Sequence, residues 1–321
     1  MPADSARQDS NRKSMANRTK IGLALGSGIA RGWAHIGVVR ALENAGIVPD
    51  IICGTSIGAL VGGVHLAGKL DVLEDWARNL TRVKILRYFD FQLNSGGLIA
   101  GRRLQKLLEE NLKGVQVENL ERSFASVTTE LATGHEIWLQ QGCVVNAITA
   151  SYALPGVFPP VKVDGRWLVD GALVNPVPVS VCRALGARIV IAVNLNADVF
   201  GKGNVSGEIA DDRTADELLA QIDSNKRKSF SPTKIVMRQI FGHNRNIPSI
   251  FSTMVGSLNI VQDRLSRSRL AGDPPDVAIA PRLGHVGLLE FNKAEEAIEE
   301  GYQSVERSIP ALRDALSVLT V

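Results

Sequence analysis

Residues 52–63 read ICGTSIGALVGG, an apolar stretch that runs into a serine with a glycine two positions away on each side. A strand that turns directly into a helix forces the residue at the turn into a strained backbone conformation. A Cβ two positions before or after that residue would collide with the turn, and Gly54 and Gly58 occupy those positions. Ser56 would then stand exposed above a helix N-terminus, whose free amides and positive dipole suit developing negative charge. The same residues also fit a strand-to-helix turn with a capping serine. G-x-S-x-G alone does not choose between a nucleophile and a cap, so the surroundings must.

Working outward, IGLAL (21–25) reads as a buried strand, followed by the glycine loop GSGIARG (26–32). Ile36, Val39 and Leu42 recur at helical spacing within 33–44, and Gly46 ends that helix. A second strand at 50–53 enters the Ser56 turn, and 59–66 continue as a helix. Downstream, FASVTTEL (124–131) and HEIWLQ (135–140) predict an antiparallel pair across the turn ATG. RWLVD (166–170) predicts another strand, PVSVCRALG (178–186) a short helix and RIVIAV (188–193) a further strand. Apolar strands alternating with helices predict an α/β fold, a three-layer α/β/α arrangement with a mainly parallel central sheet. Helical additions follow at the C-terminal end. Phe251, Met254, Val255, Leu258, Val261 and Leu265 mark an amphipathic helix, and a last helix starts at Asn292 with Glu295 completing a capping box. The expected organisation is a polar leader (1–19) and one domain (20–321), with a polar insertion at about 198–249.

Composition narrows the partners. With 321 residues, 45% of them hydrophobic, and a net charge of +3, nothing at whole-chain level calls for nucleic acid. Cys53, Cys143 and Cys182 form no C-x-x-C pair and read as reduced thiols, which fits the cytoplasm. The polar leader lacks the apolar core of a secretory signal, and runs such as IVIAV (189–193) are too short to span a bilayer. Any membrane contact would therefore be peripheral. Residues 226–246, KRKSFSPTKIVMRQIFGHNRN, interleave basic and apolar residues with no acidic one. That pattern predicts contact with an anionic membrane surface, with a solvated loop as the alternative.

In an open parallel sheet, functional groups collect where the strands end, which places the glycine loop, Ser56 and Asp170 together. The loop does not fit dinucleotide binding, because Arg31 stands where the third glycine belongs. A reductase would need Tyr-x-x-x-Lys, yet Tyr88, Tyr152 and Tyr302 are followed four residues later by Gln92, Gly156 and Glu306. As an oxyanion site the loop makes sense: its glycines let backbone amides face a developing negative charge, with Arg31 adding positive charge. Two bases compete. His285, in PRLGHVGLLEF (281–291), has the chain order of a Ser-acid-His triad, whereas His35 and His65 fall in helices and His243 in the irregular segment. Asp170 ends a strand in Asp-Gly, which is also an ordinary turn. Before it comes the apolar, proline-rich ASYALPGVFPPV (150–161), which could hold acyl chains, desolvate the carboxylate and raise its basicity. No set of side chains has metal-ligand spacing, so no metal site is expected.

Together these four motifs, in this order, resemble the patatin-like phospholipases: the glycine loop with its basic residue, G-x-S-x-G, ASYALPGVFPPV, and Asp170-Gly171-Ala172. The opening GSGIARGWAHIGV (26–38) is similar to that of the small stand-alone bacterial members, and the likeness is strongest over about 20–195. The resemblance implies an acyl hydrolase with a Ser-Asp dyad, no catalytic histidine and no cofactor. Ser56 would be the nucleophile and Asp170 its base; the oxyanion hole would be formed around Gly26, Ser27 and Gly28, with Arg31 assisting. Ser27 replaces the family's middle glycine and one extra residue precedes Arg31, which leaves open which amides point inward. Ala172 replaces a second glycine. The implied substrates are carboxylic esters of lipids, phospholipids or lysophospholipids. The alternative is a lipid-binding or regulatory module that uses the same pocket only for recognition.

Overall fold

The computed structural model describes residues 19–81, 102–198, 250–287 and 289–317. The run at 21–25 forms β1 (Ile21–Leu25), and the apolar run before Ser56 forms β2 (Ile51–Thr55). They lie side by side and parallel, with β3 (Ser123–Glu130) beyond β2 and β7 (Ile189–Val193) beyond β1. β8 (Val277–Ile279) extends the parallel part past β7. The other end of the sheet is antiparallel: β4 (Glu136–Leu139) and β6 (Arg166–Asp170) both pair with β3, and β5 (Val161–Val163) pairs with β6.

Side chains alternate across the strands and so make two cores. Leu23, Leu25, Ile52, Phe124, Ile191 and Val193 face one way. There they meet α1 (Ala34–Asn44), α2 (Ile57–Leu66), α3 (Leu70–Arg78) and α8 (Ala294–Ser317). Ala24, Cys53, Ala125, Val127, Val190 and Ala192 face the other way, against α6 (Val179–Ala184). The second core is built of smaller residues, and the buried Cys53 and Cys182 belong to it as free thiols. α4 (Arg102–Asn111) and α5 (Val144–Ser151) are further helices before β5.

The C-terminal additions differ from the expectation in two ways. α7 (Ile250–Gly272) is longer than expected, and Val261 is 52% exposed while Asn259, Gln262, Asp263 and Ser266 are buried beside Val255. The reason is what the helix covers. It lies on loop ends rich in polar groups, where Ser27 Oγ donates to Gln262 Oε1 at 3.3 Å. The last helix begins at Ala294 because Asn292 is already inside a 3-10 turn (Phe291–Lys293), and Glu295 pairs with Arg78 of α3 instead of capping. The leader, the polar segment from 199 and the basic stretch 226–246 lie outside the described residues. Among those described, no helix is long and apolar enough to cross a membrane, and no group of three or more His, Cys, Asp and Glu could hold a metal ion.

One feature of strand pairing positions the site. β2 pairs with β3 from Ser123 to Val127, and β4 pairs with Ser126 to Thr129, so β4 must occupy the opposite edge of β3. β6 pairs with Thr128 to Glu130, overlapping β4, and therefore shares the edge used by β2. Along that edge Thr55, the last residue of β2, faces Val127, and Asp170, the last residue of β6, faces Thr128. Two strands running in opposite directions thus end nose to nose. Asp170 reaches the end of β2 by meeting it head-on, not by belonging to the parallel set.

Candidate active site

Ser56 begins the turn from β2 into α2 with φ 57° and ψ −122°, the left-handed side of the map that non-glycine residues rarely adopt. A Cβ on Gly58 would lie 2.1 Å from the carbonyl oxygen of Leu25, and one on Gly54 2.4 Å from the amide nitrogen of Ala59. The bracket of glycines therefore lets the turn press against β1 and against its own helix. Ser56 Oγ donates to Asp170 Oδ2 at 2.7 Å, and Asp170 Oδ1 accepts the Ala172 amide at 2.8 Å. Gly171 lies so close to β3 that a Cβ there would be 2.2 Å from Val127 O. Ser56 is only 7% exposed, where the sequence predicts an open position, because a cleft and not bulk solvent receives its hydroxyl. Asp170 is 2% exposed, and burial pushes its carboxyl up to about 7, against the hydrogen bonds from Ser56 and Ala172 that hold it down.

The glycine loop uses its amides differently from the expectation. Gly26 N–H donates to Val193 O at 3.1 Å and Ser27 N–H to Pro176 O at 2.8 Å, so both are committed to the framework. Arg31 is 4% exposed and its Nε donates to Val286 O at 2.9 Å; it braces the loop against the 283–286 segment and does not line the cleft. Burial lowers its pKa to about 10. The amides of Gly28 and Ile29 find no acceptor among the described residues. Ile29, with φ 49°, turns the chain there and lines the cleft beside Ile57, the first residue of α2. Ile57 N–H is likewise without an acceptor among the described residues, as a first-turn helical amide is. His35, fully buried, contacts Gly26 O through Nε2 at 2.7 Å. Burial drops its pKa to about 4, so the ring is neutral and Nε2 carries the hydrogen donated to that carbonyl.

The cleft over Ser56 and Asp170 is walled by apolar side chains, among them Leu60, Leu104, Leu154, Val157 and Val255. Trp33 closes one wall, packed edge-on against Trp76 (5.9 Å) and Phe291 (6.2 Å). Leu154, Val157 and Phe158 come from the proline-rich stretch, whose first residues, Ala150 and Ser151, are the end of α5 rather than loop.

Residues 23–183 match the family model described as Patatin-like phospholipase, and both Ser56 and Asp170 fall inside the match. The chain belongs to the patatin-like phospholipase family. Over 333 aligned residues it is 33% identical to an uncharacterized NTE family protein of Mycobacterium tuberculosis, covering 91% of this chain and 92% of that one. It is 27% identical to the Lysophospholipase NTE1 of Pyricularia oryzae, covering 92% of this chain but only 19% of that much longer protein. Among solved structures, VipD from Legionella pneumophila superposes with a TM-score of 0.36 at 14% identity, over 94% of this chain and 80% of that one.

Within this patatin-like fold, several residues escape sequence reasoning. Ser56 N–H donates to Ser151 Oγ at 2.8 Å, Thr129 Oγ1 donates to the carbonyl of Asp170 at 2.9 Å, and Thr55 Oγ1 donates to Asn175 O at 2.8 Å. The stretch ASYALPGVFPPV flags Ser151 as part of a motif, but nothing local says that its hydroxyl serves Ser56. His285, the alternative base, is on the surface, paired with Glu296, and does not line the cleft. His65 contacts Arg122 (3.0 Å), and His243 lies outside the described residues.

Proposed function

We propose that this protein is a serine acyl hydrolase that cleaves carboxylic esters of lipids, of phospholipase A or lysophospholipase type, through a Ser56–Asp170 dyad. The observation that carries this reading is the 2.7 Å hydrogen bond from Ser56 Oγ to a buried carboxylate on the floor of an apolar cleft. An acyl chain lies along the apolar walls, with its ester carbonyl carbon at Ser56 Oγ. As Oγ attacks, Asp170 Oδ2 takes its proton; a carboxyl raised to about 7 is a far better base than an ordinary aspartate. The charge formed on the carbonyl oxygen is met by amides with no acceptor among the described residues, those of Gly28, Ile29 and Ile57. Asp170 then returns the proton to the departing alkoxide, leaving an acyl-Ser56 ester. Water attacks that ester, Asp170 takes a proton from the water, and the fatty acid departs as Ser56 recovers its hydrogen. No step requires a cofactor. The fungal relative is named a lysophospholipase, which supports a single-chain substrate here.

Labelling by a fluorophosphonate probe, followed alongside hydrolysis of lysophosphatidylcholine, tests the reading. Wild-type protein is expected to label at Ser56 and to release fatty acid, and Ser56→Ala to do neither. Undiminished labelling and hydrolysis in Ser56→Ala would overturn the assignment. A wild-type protein that binds the lipid without labelling or turnover would turn the reading to a lipid-binding module.

A further inference from the structure

The C-terminal end of α5 touches both members of the pair. Ser151 Oγ accepts the Ser56 amide at 2.8 Å, and two residues later the carbonyl of Ala153 accepts the Asp170 amide at 3.0 Å. Ser151 is completely buried, and its one hydroxyl hydrogen goes to Val127 O at 2.6 Å. With the hydrogen committed there, only a lone pair is left to face Ser56. Val127 is the β3 residue opposite the end of β2, next to the one opposite Asp170, so its carbonyl sits at the junction of the two strand ends. α5 is itself tied to β3, through Ser126 Oγ donating to Ala147 O at 2.7 Å.

We infer that Ser151 is a positioning residue whose hydroxyl sets Ser56 against Asp170 by holding the amide of Ser56 to β3. The inference rests on the reading of Ser56 and Asp170 as the reacting pair. Ser56 precedes α2, so its N–H has no helical acceptor, and its φ of 57° is a conformation that persists only where neighbours impose it. Ser151 Oγ is the acceptor that imposes it. Without the hydroxyl, the Ser56 amide is left buried and unpaired and the turn relaxes, carrying Oγ away from Asp170 Oδ2. The apolar walls that bind the acyl chain are untouched. The hydrogen bond from Ser56 also holds the pKa of Asp170 down, so loosening it should move the acidic limb of the pH–rate profile upward.

Steady-state kinetics on a soluble p-nitrophenyl ester, across pH, with Ser151→Ala, Ser151→Cys and Ser56→Ala in parallel, test this. Ser151→Ala is expected to lower kcat about 50-fold with KM within about twofold, and to shift the acidic limb to higher pH. Ser151→Cys, which keeps a weak acceptor and donor at the same place, should recover part of that loss. A folded Ser151→Ala with wild-type kcat and an inactive Ser56→Ala would overturn the role of Ser151 and leave the dyad standing. Wild-type rates in Ser56→Ala would remove the dyad itself. A rise in KM with the pH limb unmoved would mark damage to the cleft and also overturn the inference. If Ser151→Ala does not fold, Ser151→Cys decides: lower kcat with the limb shifted upward supports the role, and an unchanged profile overturns it.

Discussion

The turns after β1 and β2 start from neighbouring parallel strands, both are bracketed by glycine, and each contains a non-glycine residue at positive φ, Ile29 at 49° and Ser56 at 57°. They use that geometry in opposite ways. In the second turn, the Ser56 amide, hydroxyl and carbonyl are all taken, by Ser151, by Asp170 and by the amides of Ala59 and Leu60. In the first turn, the framework takes Gly26 and Ser27 and then stops, leaving Gly28 and Ile29 unpaired among the described residues. A closed turn holds a reacting atom still. On the proposed mechanism, an open turn would keep donors in reserve for charge that exists only in a transition state, which is where preorganised dipoles have most effect. The two turns also press on one another, with Gly58 against Leu25 O.

The largest expected effect breaks the closed turn. If Asp170 is the base, as proposed, Asp170→Asn should lower kcat about a thousandfold or more on any ester. The same substitution should be stabilising at high pH. The carboxyl titrates near 7 in the folded protein against an ordinary 3.8, so the native state favours the protonated form. The stability linked to that proton is fully present below about pH 4 and is lost as pH rises through 7. Thermal unfolding should therefore show Asp170→Asn melting about 3 °C above wild type at pH 8 and level with it at pH 4. A lower Tm at both pH values would mean that the carboxylate is not the buried charge described.

Gly28→Ala attacks the open turn. Its Cβ would come 2.6 Å from Leu195 Cδ1, displacing the loop that carries the two spare amides. A fall in kcat of about 100-fold with little change in KM is expected, and a comparable rise in KM with kcat unchanged would assign the loop to binding instead.

A smaller effect needs no mutation. In the proposed mechanism Asp170 must be ionised to accept a proton, so kcat/KM should drop about tenfold from pH 8 to pH 6, with the slope of a single group near 7. His35 titrates near 4 and stays neutral across that range, so it contributes nothing to the limb.

The smallest effect sharpens the comparison. His35 supports the open turn from beneath through Gly26 O, and His35→Leu should lower kcat about fivefold without changing KM, measured on the same soluble ester. Wild-type kinetics in that variant would show that Val193 and Pro176 hold the loop unaided.

Much of this molecule is legible in its sequence, because the signals concerned are local. Period-two and continuous apolar runs announce β1, β2, β3 and β7, and helical spacing announces α1 and α2. Glycines mark where backbones must approach closely, so the Ser56 turn stands out from twelve quoted residues, and Asp170-Gly171-Ala172 stands out from the Asp164-Gly165 turn just before it only as the last of four motifs in order. What the tertiary structure alone decides depends on pairing between distant segments. Ser56 and Asp170 are 114 positions apart, and they meet because β6 runs antiparallel into the end of β2 along one edge of β3. Which loop amides are taken by the framework follows from where the carbonyls of Pro176 and Val193 fall, and Arg31 is drawn to Val286, 255 residues away. The buried face of α7 is polar because of the loop ends beneath it, and Ser151 matters because its hydroxyl lands at a strand junction. A chain's pattern encodes torsion and burial residue by residue, whereas a hydrogen bond between remote residues exists only once the strands have chosen their partners.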